Sequence, residues 1–328
     1  MDALSDLLHA VKLNGALFLE SHFTAPWCIE SHSGHESYGM FDGFDHIVFF
    51  HIITEGRCKV RLSAGGETIE LAAGDLILMP QDDAHLLGSD LQLAPVDADL
   101  LVRPAPPGGM LTIDHGGGGE EARLMCGFLS CDRQLSRPLL EALPRLLRVP
   151  LGDGPGAAWL MSLLRRGAQE NTTQGPGSGT LLAKLAELLF VEAMRRYIEA
   201  LPDQHTGWLA GLRDRYVGRA LTLMHERPTQ DWTVDDLAER VGLSRSALAQ
   251  RFANLLGQPP MQYLTRWRLV LAAAALRSSN RAIALVAEDS GYESESAFNR
   301  AFKREFGMPP AAWRRQGARN PGGAGATP

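Results

Sequence analysis

The 328-residue sequence predicts a two-domain α+β protein: an N-terminal antiparallel β-barrel followed by helices, then an all-α domain with two helix-turn-helix units. Three observations predict this. Short alternating or wholly apolar runs bounded by turn residues fill residues 44–87. Leu-rich patterns of helical period take over after residue 155. One helix-glycine-helix pattern then occurs twice, fifty residues apart.

In the front half, residues 46–53 form an apolar, β-branched run. Residues 59–62 and 68–71 alternate around a Gly65-Gly66 turn, placing Val60, Leu62, Ile69 and Leu71 on one face. Two further strands, 75–79 and 84–87, flank Pro80, and several short strands at this spacing suit a barrel or sandwich. Residues 104–110 and 116–119 read as loops, and 123–130 returns to the sheet. Helices are predicted over 156–170 and 179–200. The second carries Leu181, Leu185, Leu188, Leu189 and Val191 around much of its circumference, which calls for burial in its own chain or against a second subunit. The chain thus divides into a sensory domain at 1–150, a helical connector and dimerisation region at 151–207, a helical domain at 208–316 and a disordered tail at 317–328.

A hydrophobic content of 45% with 21% charged residues fits a packed soluble chain. The start of the chain lacks a signal-peptide pattern and no run approaches the roughly 18 apolar residues of a membrane span, so a cytoplasmic protein with no membrane partner is expected. Cys28, Cys58, Cys126 and Cys131 are too few and too irregular for a disulfide framework. The net charge of −6 conceals an asymmetry: residues 208–319 carry 17 Lys or Arg against 11 Asp or Glu, while residues 1–207 carry 15 against 27. A basic segment on an acidic body suggests a local polyanion-binding surface.

The repeat explains the asymmetry. Ser244-Arg-Ser-Ala-Leu-Ala-Gln-Arg-Phe252 leads to Gly257-Gln-Pro-Pro260, and Ser294-Glu-Ser-Ala-Phe-Asn-Arg-Ala-Phe302 leads to Gly307-Met-Pro-Pro310. Before the first copy, Thr233 and Asp236 form a capping-box pattern, and Val234, Leu237, Ala238 and Val241 share a helix face. Gly242 permits a tight turn and Ser244 caps the next helix, which buries Leu248, Phe252 and Leu256. The second copy has Ile283, Val286 and Ala287, then Gly291, the Ser294 cap and a Phe298, Phe302, Phe306 stripe. Such a second helix enters the DNA major groove in helix-turn-helix proteins. A connecting helix with Leu264, Trp267, Leu271 and Ala275 on one face, about 18 residues and about 27 Å long, sets the two units near one DNA turn apart. A helical bundle without a nucleic-acid role is the blander alternative; two units, matched spacing and positive charge together favour double-stranded DNA.

These residues, WTVDDLAERVGLSRSALAQRF, GQPPMQYLTRWRL and SGYESESAFNRAFKREFGMPP, resemble the DNA-binding domain of the AraC/XylS family over residues 213–316. The resemblance implies a seven-helix domain that regulates transcription initiation, with activation the usual outcome and RNA polymerase a partner. Carried over by position, the base-reading residues are Ser246, Ala249 and Gln250, then Glu295, Ser296, Asn299 and Arg300. Gln250 stands where relatives often have arginine, and Ala249 offers only a methyl to a thymine. Arg245, Arg251, Arg281, Lys303 and Arg304 are candidates for phosphate contacts, each with a solvated surface charge as the alternative.

Residues 1–150 resemble the cupin-type sensory domain of some members through MDALSDLL, Phe50-His51, GDLILMPQDDAHLL and Cys126-Gly127. The resemblance implies a barrel interior for a metal or small effector. His51 and Glu55 match part of the first cupin motif and His85 the second, with Phe49 standing where a histidine is usual. A divalent metal on these three is one reading; hydrogen-bonded core histidines and a turn glutamate are the other. No cofactor is required. His32, His35 and Glu36 form a loop cluster with the same two readings. Cys126 and Cys131, with Cys28 as a distant partner, suggest thiol redox sensing, although a spacing of five on a strand places Cys126 and Cys131 on opposite faces. A homodimer and an effector-controlled, non-enzymatic regulator are expected, against a metal-dependent cupin enzyme, a thiol sensor or an architectural DNA binder.

Overall fold

A computed structural model describes residues 2–11, 13–34, 41, 44–103, 110–152, 159–164, 166 and 177–319. Residues 104–109 of the expected 104–110 loop, most of the 156–170 helix, His35, Glu36 and all but the first residues of the tail lie outside them.

Contacts between Cα atoms divide the chain into two units that do not follow its linear order. One comprises Met1–Lys12, Cys131–Ala142 and Ile198–Pro321; the other is built on Leu13–Ser130 and Leu143–Tyr197.

The second unit is sheet-rich. Strands β1 (Asn14–Thr24), β2 (Cys28–Ser31), β3 (His46–Glu55), β4 (Arg57–Leu62), β5 (Ile69–Ala72), β6 (Asp75–Met79), β7 (His85–Gly88), β8 (Val96–Asp97), β9 (Leu111–Gly116), β10 (Glu121–Cys131) and β11 (Leu147–Pro150) form two sheets. The orders are β11-β6-β3-β10-β1-β9 and β5-β4-β7-β2-β8. Side chains from both sheets, including Phe23, Phe49, Ile53, Val60, Ile77 and Leu87, share one core. The expected closed antiparallel barrel is corrected on two counts. The edge strands β9, β11, β5 and β8 form no ladder that joins the two sheets among the described residues, so the arrangement is an open pair. The β1–β9 and β2–β8 ladders are parallel, so both sheets are mixed. The partners in each parallel pair are far apart in sequence, and alternation within single strands carries no information about such crossovers.

Helix α3 (Ser178–Ala200) approaches β1 at Gly15. A Cβ at Gly15 would stand 2.7 Å from Ala186 Cβ, so the close approach requires glycine. Leu182, Leu185, Leu189 and Phe190 are buried, while Leu188 is 41% exposed.

The first unit is helical. Beside α1 (Ala3–Val11) and α2 (Arg133–Leu140) it contains α4 (Trp208–Arg213), α5 (Arg215–Glu226), α6 (Val234–Val241), α7 (Arg245–Leu256), α8 (Pro260–Ser278), α9 (Ile283–Asp289), α10 (Glu295–Phe306) and α11 (Pro310–Arg319). The 19-residue α8 is about 28 Å long. Tyr263, Leu264, Trp267, Leu269, Val270, Ala272, Ala273 and Leu276 are all buried, so α8 is enclosed on most sides rather than on one face. The reason is its company: α1, α2, α7, α9, α10 and α11 all pack on it.

Asp132 does double work at the start of α2. Its carboxylate accepts from the Gln134 and Leu135 amides as N-cap and lies 2.6 Å from Arg277 Nη1 of α8. Arg277 also covers the Trp313 ring at 4.2 Å. Removing one member of such a buried pair strands the other charge, at a cost of about 3–5 kcal/mol. Asp132→Ala is therefore expected to lower the urea midpoint of the helical unit by an equivalent amount, followed by the fluorescence of Trp313 and its neighbours. Gly242 sits at φ 79°, in the left-handed region, so Gly242→Ala should cost about 1–2 kcal/mol in the same measurement.

Candidate nucleic-acid interface and the interior polar chain

The two helix-turn-helix units are built alike in detail. Thr233 and Asp236 form the complete capping box, with the Thr233 amide donating to Asp236 at 2.9 Å and the Asp236 amide to Thr233 Oγ1 at 3.1 Å. Gly242 and Gly291 turn the chain at φ 79° and 78°. Ser244 accepts from the Ala247 amide and Ser294 from the Ala297 amide, both at 3.3 Å. Leu248 and Phe252 anchor α7; Phe298, Phe302 and Phe306 anchor α10. Leu256 differs from expectation in being half-buried, whereas Phe306, at the same position of α10, is buried.

Opposite these stripes, Ser246 and Gln250 are exposed and Ala249 is half-buried; Glu295, Ser296 and Arg300 are exposed and Asn299 is half-buried. The seven expected base-reading residues thus form two outward faces with the same pattern of exposure. The cations divide. Arg251 is committed to Asp214, the N-cap of α5, through Nε at 2.8 Å and Nη2 at 2.5 Å, and its guanidinium lies over Tyr216. The Asp214 hydrogen bond holds the Arg251 guanidinium above its usual pKa. Arg245 pairs with Asp235 at 3.2 Å and Arg281 with Asp289 at 2.6 Å. Arg300, Lys303 and Arg304 are exposed without an ion pair among the described residues. Free cations are the ones that can displace counterions from phosphate without first breaking a bond of their own.

The sheet-rich unit holds a chain of buried polar groups. His51 Nδ1 is 2.9 Å from Cys126 Sγ, His51 Nε2 is 2.7 Å from His85 Nε2, and His85 Nδ1 is 3.0 Å from the Asp83 carbonyl. A carbonyl can only accept, so His85 Nδ1–H donates to it and His85 Nε2 accepts from His51 Nε2–H. His51 Nδ1 is then the acceptor for the Cys126 S–H. Burial pushes His51 well below the usual histidine range and His85 down to about 4, so both rings are neutral. Burial likewise pushes Cys126 and Cys58 up to about 12. The chain runs from β10 through β3 of one sheet to β7 of the other.

The residues present do not fit a metal site. His51 spends one ring nitrogen on each neighbour. Glu55, at the end of β3, is carried past the core to solvent, where it lies 3.2 Å from Arg123. Among the described residues no group of three or more His, Cys, Asp or Glu side chains is placed to hold a metal ion. His32 is half-buried and 3.5 Å from Asp97. Cys28 is buried, and its thiol is raised by burial. Cys131 accepts from Ser136 Oγ at 3.2 Å, and all four cysteines are free thiols. The Cys126–His51 contact was not read from the sequence, since it depends on strand register.

Residues 2–199 match the cupin family and residues 237–316 the helix-turn-helix domain family. A putative AraC-like transcription regulator of Streptomyces lividans is 37% identical, over 96% of this chain and 98% of its own. The chain belongs to the AraC-like transcription regulators. Its matched helix-turn-helix units make it a DNA-binding member. AlkR of Acinetobacter baylyi is 30% identical over 96% of this chain and 100% of its own length, and the RCS-specific transcriptional activator RclR of Escherichia coli is 28% identical over 96% and 97%. Among solved structures, the DNA-binding domain of AdpA in complex with a target DNA is 32% identical, covers 34% of this chain and 99% of its own, and has a TM-score of 0.31. ToxT of Vibrio cholerae, at 12% identity, covers 94% and 98% with a TM-score of 0.36. No described helix of this AraC-like chain is long and apolar enough to cross a membrane.

The neutral histidines set a pH dependence. Unfolding exposes them to water, where they protonate near pH 6.5, so between that value and His85's folded value of about 4 the unfolded chain binds more protons. Stability of the sheet-rich unit is full above pH 6.5, falls as pH drops through this window, and levels off for His85 below about pH 4. His85→Asn, compared with the parent by urea unfolding at pH 7 and pH 5, should lose less stability on acidification.

Proposed function

We propose that this regulator reads two successive major-groove segments, the α7 and α10 faces each contacting base edges, and activates transcription through contact with RNA polymerase. The observation that carries this reading is the equivalence of the two exposed faces, Ser246/Ala249/Gln250 and Glu295/Ser296/Asn299/Arg300, each opposite a buried stripe. The activator named among the relatives supports the direction of control. We take the sheet-rich unit to sense a small effector rather than to catalyse a reaction. A ligand that reaches its interior has to break a connected set of hydrogen bonds, so its arrival alters β3, β7 and β10 together. Dimerisation is assigned to α3, whose exposed Leu188 and half-buried Leu181 and Val191 lie on the solvent side of the helix together with the exposed Lys184 and Arg195. A cytoplasmic location follows from this role.

Fluorescence anisotropy with genome-selected duplexes tests the reading. Lys303→Ala and Arg304→Ala should weaken binding similarly on all sequences, and each should reduce the slope of log affinity against log salt by about 1. Arg300→Ala should cost about 1–3 kcal/mol on the selected site and relax preference at one base step. Salt-insensitive binding, or none to any duplex, overturns the assignment. Leu188→Lys should shift the sedimenting species from dimer to monomer.

A further inference from the structure

The two sheets are left unjoined at the edge strands β5 and β11, and a cavity of about 490 Å³ has residues of both edges in its walls. Small-molecule sites span about 300–1,000 Å³ and favour the mouths of small β-structures.

One wall follows from the strand register. Leu71 pairs with Cys58 across β5 and β4, while Lys59 and Cys28 both pair with Gly88 of β7, so Cys58, Ser89 and Trp27 continue the row at the next position. Leu71, Cys58 and Trp27 belong to the core shared by the two sheets. Trp27 is held firmly, its amide donating to Ser89 Oγ at 2.9 Å and its ring stacked on Phe23 at 3.9 Å. Burial pushes the Cys58 thiol up and nearby Cys126 pushes it further, so this wall adjoins the interior polar chain. Ala25 and Glu120, tied by the Ala25 amide on the Glu120 carbonyl at 2.9 Å, and Arg148 of β11 complete the enclosure.

The charged groups of the rim are unequally committed. Arg148 pairs with Asp75 at 3.0 Å. Arg57, Lys59, Glu70 and Glu120 also line the cavity, and none of them has an ion pair among the described residues. This holds even for Lys59 and Glu70, which are direct cross-strand partners. Two uncommitted cations and two uncommitted carboxylates beside one apolar wall offer no net charge to a simple anion or cation. A molecule that carries both signs satisfies both sets at once, through charge-assisted hydrogen bonds.

We propose that this cavity binds a free α-amino acid with an apolar side chain, its carboxylate on Arg57 and Lys59, its ammonium on Glu70 and Glu120, and its side chain on Trp27, Cys58 and Leu71. Resting on the sensing role given above to the sheet-rich unit, this site makes the amino acid the effector. Its occupant spans the gap between the β5 and β11 edges, which no ladder among the described residues holds at a fixed width.

The full chain is titrated calorimetrically with L-leucine, L-methionine and L-phenylalanine, and with the N-acetyl and amide derivative of each, which lack the ammonium and the carboxylate respectively. Saturable binding of at least one amino acid is expected, with both of its derivatives weaker by roughly tenfold or more. Arg57→Gln combined with Lys59→Gln should abolish the discrimination against the amide and keep that against the N-acetyl form. Glu70→Gln combined with Glu120→Gln should do the reverse, a crossed pattern that a loss of folding does not produce. Failure of all three amino acids to bind, derivatives that bind as tightly as their parent, or parental discrimination in both variants overturns the proposal. Anisotropy with the selected duplex, read with and without ligand, separates the two readings: ligand binding that leaves duplex affinity unchanged removes the sensing role from the sheet-rich unit and leaves the site in place.

Discussion

What each recognition helix shows to DNA is fixed by what it must hide. An α-helix with an apolar residue at every fourth position has one face that water excludes, and burial of a Leu or Phe side chain contributes about 1.5–3 kcal/mol. Leu248 and Phe252 in α7, and Phe298, Phe302 and Phe306 in α10, lock the rotation of their helices in this way. The serine caps and left-handed glycines set where each helix begins. Once rotation and start are set, the identity of the outward residues follows. Specificity therefore belongs to a few side chains whose orientation is enforced from behind.

The same constraint separates the two copies. Both present a serine at the second helical position, but Ala249 and Gln250 are replaced by Asn299 and Arg300 in the second, and Arg251 is replaced by Ala301, which is buried. Arg251 is drawn into the clamp with Asp214, so the first helix gives up a cation to hold the start of α5. The second keeps Arg300, Lys303 and Arg304 exposed and without an ion pair among the described residues, so the recognition-helix cations not already committed to a carboxylate lie on α10.

The helical repeat was legible because its signals are local: cap, glycine turn, second cap and apolar stripe follow one another from Thr233 to Phe252. The strands between 46 and 88 were legible for the same reason. The order in which strands pair was not, since β1 meets β9 and β2 meets β8 across long stretches of chain. The interior chain needed that order, because Cys126, His51 and His85 come from three strands. Glu55 was grouped with the histidines by motif spacing, yet one more turn of the pleat carried it beyond the core. Helices α1 and α2 were missed although signs were present: Asp2 accepts from the Ser5 amide at 3.0 Å, Leu4, Leu7 and Val11 share a face, and Asp132 precedes α2 as a cap. Both helices are short, and neither adjoins the helical domain in sequence.

The bond between Asp132 and Arg277 bears on how this regulator can be taken apart. A construction that begins at residue 208 looks like a natural cassette, yet it would discard both α1 and α2. Arg277 would lose its carboxylate, and the aromatic floor around Tyr263 and Trp267 would be opened to water. Swapping tails between such regulators therefore transplants an incomplete body, and grafts that carry residues 1–12 and 131–142 along with the tail are the ones that preserve it.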